Sequence, residues 1–376
     1  MRLLDPLAMK TGDWPAGSER LRAYAEGFAR EGSERMIGNL RTRVRVLCVG
    51  DCALPVTIND AEYDNTYVCS PCTAYAPYAK EELRLLQGAW VRGALGGLAD
   101  VTGAMLKTAR ISRIVHVNNW MLSTNLFSRD AGLPIVAITA FLTGLFPEHF
   151  ICFRSLNAWA NAELMRQFEA AGYKLVASRQ VYGFEQLAET WGATSNARED
   201  RRFLARTGYR VVTSREFGEP DYARMAELYR LLYVQKYSQH NPVFTPDYFR
   251  LCHQSETMQF FGLRSPEGIL EGVLGLFTLD GIVTAPVVGY NTARDRRLGL
   301  YRLLMALVFE FALKEGHRIN LSSGAASFKR LRGGRPIVEY SAIYDRHLSL
   351  GRRSALNALA AVVNRLGVPL MRKLKL

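Results

Sequence analysis

The chain has 376 residues, 48% of them apolar, and a formal net charge of +13. This length and composition allow about two hydrophobic cores and exclude disordered and collagen-like classes. The charge is unevenly placed: residues 289–376 carry 17 Lys/Arg and 5 Asp/Glu, a net of +12, whereas residues 1–288 carry 31 basic and 30 acidic side chains, a net of +1. An excess confined to the final quarter points to a polyanionic partner, either nucleic acid or an acidic membrane surface; the bland alternative is a basic surface that only aids solubility.

In chain order, residues 1–10 lack the apolar run of a secretory signal. Six cysteines in a chain this long do not form a disulfide framework, so a cytoplasmic setting is expected. Residues 16–35 read as a short polar helix region, and residues 44–49 as a strand in which Arg43 and Arg45 alternate with Val44 and Val46. Cys48-x3-Cys52 and Cys69-x2-Cys72 come near zinc-ribbon spacing, but Cys48 falls in that strand, so unrelated thiols are the simpler reading. Residues 79–107 read as helix broken at Gly93, Gly96 and Gly97. Arg113–Val117 is a strand. The longest apolar run, 131–147, is shorter than the roughly 20 residues a membrane span needs. A strand at 150–153, a helix at 158–171 capped by Gly172, and a strand at 173–184 follow. The polar turns Ser70-Pro71, Asn118-Asn119-Trp120 and Arg154-Ser155 fit either an acceptor-site lining or plain caps.

Residues 190–202 are polar and charged and read as a connector between domains. Beyond them come a strand at 209–213, a helix at 222–237 with Asp221 as N-cap, and a helix from Pro246. Strands at 258–264, 270–279 and 282–290 follow, the last two joined by the hairpin signal Asp280-Gly281. The two halves end alike, each as strand, polar turn, helix, glycine, strand, which suggests a duplicated unit.

Residues 290–345 are the most informative stretch. A strand leads into the loop Arg294, Arg296, Arg297, Gly299, then a helix at 300–315 whose Leu300, Leu303, Leu304, Leu307, Val308 and Phe311 form a core stripe. A second strand leads into Ser322-Ser323-Gly324, a short helix with Phe328, Lys329, Arg330 and Arg332, and a strand ending at Tyr344 and Asp345. Two cationic turns that each open onto a helix suit a phosphate-bearing substrate. The six histidines show no metal spacing, and no Gly-x-Ser-x-Gly element or P-loop occurs.

Arg296-x-x-Gly299 resembles the pyrophosphate loop of the GNAT acyltransferase superfamily, with Tyr301 departing from its small residue. Ser323-Gly324-x-x-x-Phe328-Lys329-Arg330-x-x-Gly333 looks like the glycine, aromatic–lysine element of Fem-type transferases, tandem-GNAT enzymes that use aminoacyl-tRNA. The resemblance implies an α/β (α+β) fold of two tandem GNAT-like domains, each a mixed, mostly antiparallel sheet flanked by helices. The domains would be 1–190, on the acceptor side, and 200–350, with a basic amphipathic helix at 351–376. It implies an N-acyltransferase that moves an aminoacyl group from aminoacyl-tRNA to an amine. An acyl-CoA or an acyl-carrier thioester would be the other donor, and a non-enzymatic RNA- or membrane-surface-binding module the other class. Lys329 would stabilise the oxyanion and Tyr344 would protonate the leaving group. Arg294, Arg296, Arg297, Gly299, Ser322, Ser323, Gly324, Phe328, Arg330 and Arg332 would bind the donor, with Phe328 near its terminal adenosine. The implied partners are tRNA, an amine acceptor, an acyl carrier protein and, through 352–376, a weak membrane contact. No metal or tightly bound cofactor is expected.

Overall fold

The computed structural model describes residues 1–83, 88–128 and 132–374. The described chain forms two compact units. One comprises Met1–Gln180, His240–Pro242 and Val338–Leu376; the other comprises Val181–Gln239 and Val243–Ile337.

The first unit is built on β1 (Arg2–Leu4), β2 (Arg43–Val49), β3 (Cys52–Asp60), β4 (Arg113–Val117), β5 (Phe150–Leu156), the first part of β6 (Lys174–Phe184) and the end of β12 (Arg335–Tyr344). Pairing is antiparallel from β1 to β4 and parallel between β4 and β5, where Ile114–Val117 lie against residues 150–153. β12 pairs antiparallel with β5. The crossover helix Ile135–Leu145 and the helix Ala158–Ala170 cover a core that includes Ile138, Leu142, Phe153 and Phe168. Gly172, at φ +89°, closes the second helix. A second core cluster gathers Leu106, Phe150, Val176, Leu356 and Leu359, so the helix Leu350–Val362 packs within this unit. By length and composition the helical stretch Leu350–Lys373 is also apolar enough to cross a membrane.

The second unit is built on the end of β6, β7 (Arg210–Thr213), β8 (Gln259–Arg264), β9 (Leu270–Leu279), β10 (Ile282–Tyr290) and β11 (Arg318–Leu321). Neighbouring strands run β6-β11-β10-β9-β8-β7, with β10–β11 the parallel pair. Asp280 and Gly281, both at positive φ, make the β9–β10 turn. The helices Glu219–Tyr229 and Leu300–Lys314 both pack on β9 and β10. At Gly289 the backbone of the first helix comes so close that a Cβ would lie 2.5 Å from Tyr229 N.

Three local expectations are corrected. Residues 190–202 do not form an open connector: Ser195–Arg206 is a helix, capped by Thr194 Oγ1, which accepts from Ala197 N at 3.2 Å. Its buried face carries Asp200 where an apolar residue would have shown the period. Asp221 is not an N-cap. The helix starts at Glu219 with Pro220 in its first turn, and Asp221 Oδ2 reaches back to accept from Gly218 N at 3.0 Å. Glycines do not break the helix Ala89–Thr108. Each costs about 1 kcal/mol against alanine, yet the helix buries Leu106 in the core. Its Gly103 also sits where a Cβ would come 2.9 Å from Ala76. The part of that predicted helix at 84–87 lies outside the described residues, as does Ala131 at the start of the apolar run.

The cysteines stand apart. On the β2–β3 hairpin Cys48 pairs with Ala53 and Val49 with Cys52, so Cys48 and Cys52 face opposite sides of the strands. Cys69 lies near Thr57 Oγ1, and Cys72 near Gly103 O. Among the described residues no three His, Cys, Asp or Glu side chains gather as a metal ion would require.

Candidate functional site

The second unit brings both cationic turns onto one framework. β10 stays paired with β9 as far as Tyr290, but pairs with β11 only at Ile282 and Val283. The parallel strands part just beyond. There Thr284 and Asn320 are buried, and Thr284 Oγ1 and Asn320 Oδ1 have no partner among the described residues.

β10 delivers the chain into the arginine loop. Asn291 Oδ1 accepts from Ala293 N at 3.1 Å, which tightens the turn. Arg294 donates twice to the buried Glu271 carboxylate, at 2.9 and 2.6 Å. Asp295 Oδ1 accepts from Arg297 N at 2.9 Å, and the same carboxylate holds the Arg297 guanidinium. Arg296 is exposed and has no ion pair among the described residues. Gly299 ends the loop in the left-handed region, φ +59°, where a Cβ would lie 2.6 Å from the Phe203 ring. The helix Leu300–Lys314 therefore starts without a side-chain cap, leaving its first amides open toward the loop.

The second turn is wrapped around Lys329. Its side chain is buried, and Nζ donates to Ser322 O and, at 3.1 Å, to Ser323 O. The ammonium also lies 5.4 Å from the centre of the Tyr182 ring. Gly324 at φ +84° and Ala325 at φ +47° carry the chain into the short helix Ala326–Arg330. Phe328 meets the edge of Tyr301 at 5.2 Å, and the Arg332 guanidinium covers a face of its ring at 3.5 Å. Arg330 donates to Tyr182 Oη at 2.9 Å.

One carboxylate ties the two turns together, and sequence reasoning missed it. Asp200, fully buried, accepts from Arg332 at both oxygens, 2.7 Å each, and from Arg302 Nε at 2.6 Å. Arg332 is thus a bidentate internal partner that holds Phe328 in place. The only hint in the sequence was the helix signal at Thr194, since an isolated acidic residue carries no motif.

Of the residues picked from sequence, Arg294, Arg296, Arg297, Gly299, Ser322, Ser323, Gly324, Phe328, Lys329, Arg330 and Arg332 all fall in the second unit. Tyr344 belongs to the first, where its ring packs against Tyr173 at 5.2 Å and stacks on His347 at 5.7 Å.

The turn has a definite chemical capacity. Lys329 bonds the carbonyls of two peptides whose N–H groups belong to Ser323 and Gly324, and neither N–H has a hydrogen-bond partner among the described residues. A cation on a peptide oxygen polarises that peptide and strengthens its N–H as a donor. Two such donors on one tight turn make a site for an oxyanion.

Residues 193–330 match the family model of the acetyltransferase (GNAT) domain. That segment holds the arginine loop, Asp200 and Lys329, and it is an acyltransferase domain of the GNAT class. No curated protein sequence matches the chain. Among solved structures, the chain is similar to L-PGS from Bacillus licheniformis, with 15% identity, 62% of this chain and 79% of that chain covered, and a TM-score of 0.46. It is similar to FemX, with 10% identity, coverage of 57% and 77%, and a TM-score of 0.44. A tandem GNAT protein from the clavulanic acid biosynthesis pathway covers 90% of this chain and 93% of its own, with 13% identity and a TM-score of 0.39.

Proposed function

We propose that the chain is an N-acyltransferase that moves an aminoacyl group from aminoacyl-tRNA to an acceptor amine. The amine nitrogen attacks the ester carbonyl, an oxyanion forms, and as it collapses to the amide the bond to the ribose oxygen breaks and that oxygen leaves as a hydroxyl with the proton the amine gives up. The observation that carries this reading is the Lys329 turn, where a buried ammonium polarises the two peptides that present the free Ser323 and Gly324 N–H groups. The net charge of +12 in residues 289–376 favours a polyanionic donor over a small one. The exposure of Arg296 supports a contact with its phosphates.

An acyl-CoA or acyl-carrier thioester is the second donor reading. It is favoured by the left-handed Gly299 and the open helix start behind Arg296, a ready pyrophosphate cradle. Tyr301 weighs against it, because that side chain fills space beside Phe328 next to the cradle.

Binding of bulk tRNA, charged and deacylated, at low and moderate salt separates the donors. Tighter binding of some charged species is the expected result. Equal and steeply salt-dependent binding of both forms, with no acyl transfer, would leave a basic surface meeting a polyanion. Failure to bind tRNA would move the donor to a thioester. Lys329→Ala should lower turnover by about 10²–10³-fold, the loss usual for an oxyanion donor.

A further inference from the structure

The first unit holds a cavity, lined in part by charged side chains, that neither the arginine loop nor the Lys329 turn borders. Its lining includes Tyr75, Glu82, His116, Arg154, Arg179 and Glu339. Arg179 Nε donates to Glu339 Oε1 at 3.0 Å, and the other end of the guanidinium is held by Thr124 Oγ1 at 2.8 Å and by Ser123 O. This fixes the Glu339 carboxylate, which is 2% exposed, and leaves its Oε2 without a partner among the described residues. His116, on β4, is 1% exposed, and its Nδ1 is likewise without a partner. Burial, and then the charge on Arg154, hold its imidazole neutral by lowering its pKa well below the usual value. A carboxylate oxygen and a neutral ring nitrogen, both on residues that line the cavity, are thus left able to accept.

The cavity also offers donors. Arg154 binds Val68 O at 3.0 Å and Asn119 Oδ1 at 3.1 Å, both through Nη1, so Nε and Nη2 have no hydrogen-bond partner among the described residues. A buried acceptor left unpaired is costly, so Glu339 Oε2 and His116 Nδ1 call for a donor, and the open Arg154 nitrogens can meet an acceptor on the same ligand. Charge narrows the choice. Two guanidinium groups face two carboxyl groups, Glu339 and Glu82, the latter with its pKa raised by burial. A ligand of net charge near zero keeps that balance, while a lone cation or anion upsets it. Cys152 also lines the cavity, but burial pushes its thiol up to about 12, which disfavours the thiolate that a nucleophile needs.

We propose that this cavity is a binding site for a free amino acid, its ammonium donating to Glu339 Oε2 and His116 Nδ1 and its carboxylate accepting from Arg154. The inference goes beyond acyl transfer and stands whether or not the second unit uses aminoacyl-tRNA.

The test is calorimetric titration of the full chain, without any acyl donor. Each of the common L-amino acids is titrated singly, with butylamine and butyrate as half-ligands. Saturable one-to-one binding of at least one amino acid, with both half-ligands much weaker, is the expected result. Glu339→Gln should weaken that binding by about 10–100-fold, the loss of a charge-assisted hydrogen bond. Ala74→Leu enlarges a lining residue without touching the polar network, and should abolish binding even if the Glu339 variant fails to fold. The proposal is overturned if no amino acid binds, if butylamine binds as tightly as any amino acid, or if binding survives Ala74→Leu.

Discussion

Both units pass from a strand through a loop and a helix to a parallel strand, yet the two loops use their polar residues in opposite ways. After β4, the loop turns its amides inward. Asn118 Nδ2 donates to Leu126 O at 2.8 Å, Asn119 Nδ2 to Thr57 Oγ1 at 2.8 Å and Val68 O at 3.1 Å, and Asn125 Oδ1 accepts from Trp120 N at 3.0 Å. After β10, the loop turns its cations outward, with Arg296 and Arg297 exposed. The strands differ too: β4 and β5 pair over Ile114–Val117, β10 and β11 only at Ile282 and Val283. A buried amide network fixes the walls of a cavity in the first unit. In the second unit an arginine loop with exposed Arg296 and Arg297 stands beside the parting strands.

The sharpest way to break this contrast is at Asp200, the buried carboxylate behind both turns of the second unit. Asp200→Ala strands the Arg332 guanidinium in the interior and should cost about 3–5 kcal/mol, the usual penalty for breaking a buried pair. Denaturant unfolding would show it as a lowered midpoint. An unchanged midpoint would mean that the two turns do not depend on this carboxylate.

A smaller effect is expected from the first loop. Asn119→Ala removes a buried amide that also accepts from Arg154 and Met121 N. The partners left unsatisfied should cost about 1–3 kcal/mol of stability. Affinity for tRNA should not change, because this loop faces inward. A variant that kept its stability but lost tRNA affinity would reverse the roles assigned to the two loops. Gly299→Ala tests the second loop in the same range. The left-handed backbone costs alanine about 1–2 kcal/mol, and the contact with Phe203 at 2.6 Å adds to it.

Most strands, the Asp280-Gly281 hairpin, the capping role of Gly172 and the two cationic turns were legible in the sequence because each is a local pattern, whereas β1 and β3 went unread. A period of two, a turn dipeptide and a glycine after a helix act within a few residues. The supports of the site were not legible. Asp200 meets Arg302 and Arg332 from over a hundred residues away, and its burial replaced the apolar stripe that would have marked its helix. Glu339 stood out from no motif, since its meaning comes from Arg179 on a neighbouring strand. Lys329 was legible as a cation in a turn. Its bonds to the Ser322 and Ser323 carbonyls depend on two left-handed residues in succession, which the motif alone did not fix.

The smallest effect on stability is expected at Arg296, and it discriminates best between the loops. The side chain is exposed and has no ion pair among the described residues, so Arg296→Gln should change stability by less than about 0.5 kcal/mol. Its effect belongs to the ligand. If the guanidinium neutralises one phosphate, the salt dependence of tRNA binding should fall by roughly one unit of slope, and affinity should drop evenly across tRNA species. Arg297→Gln should do less, because Asp295 already holds that guanidinium and screens part of its charge. Equal losses at the two positions would mean that Asp295 releases Arg297 to the ligand and that the loop rearranges on binding. No loss at either would move the anion contact away from this loop and remove the main functional difference between the two units.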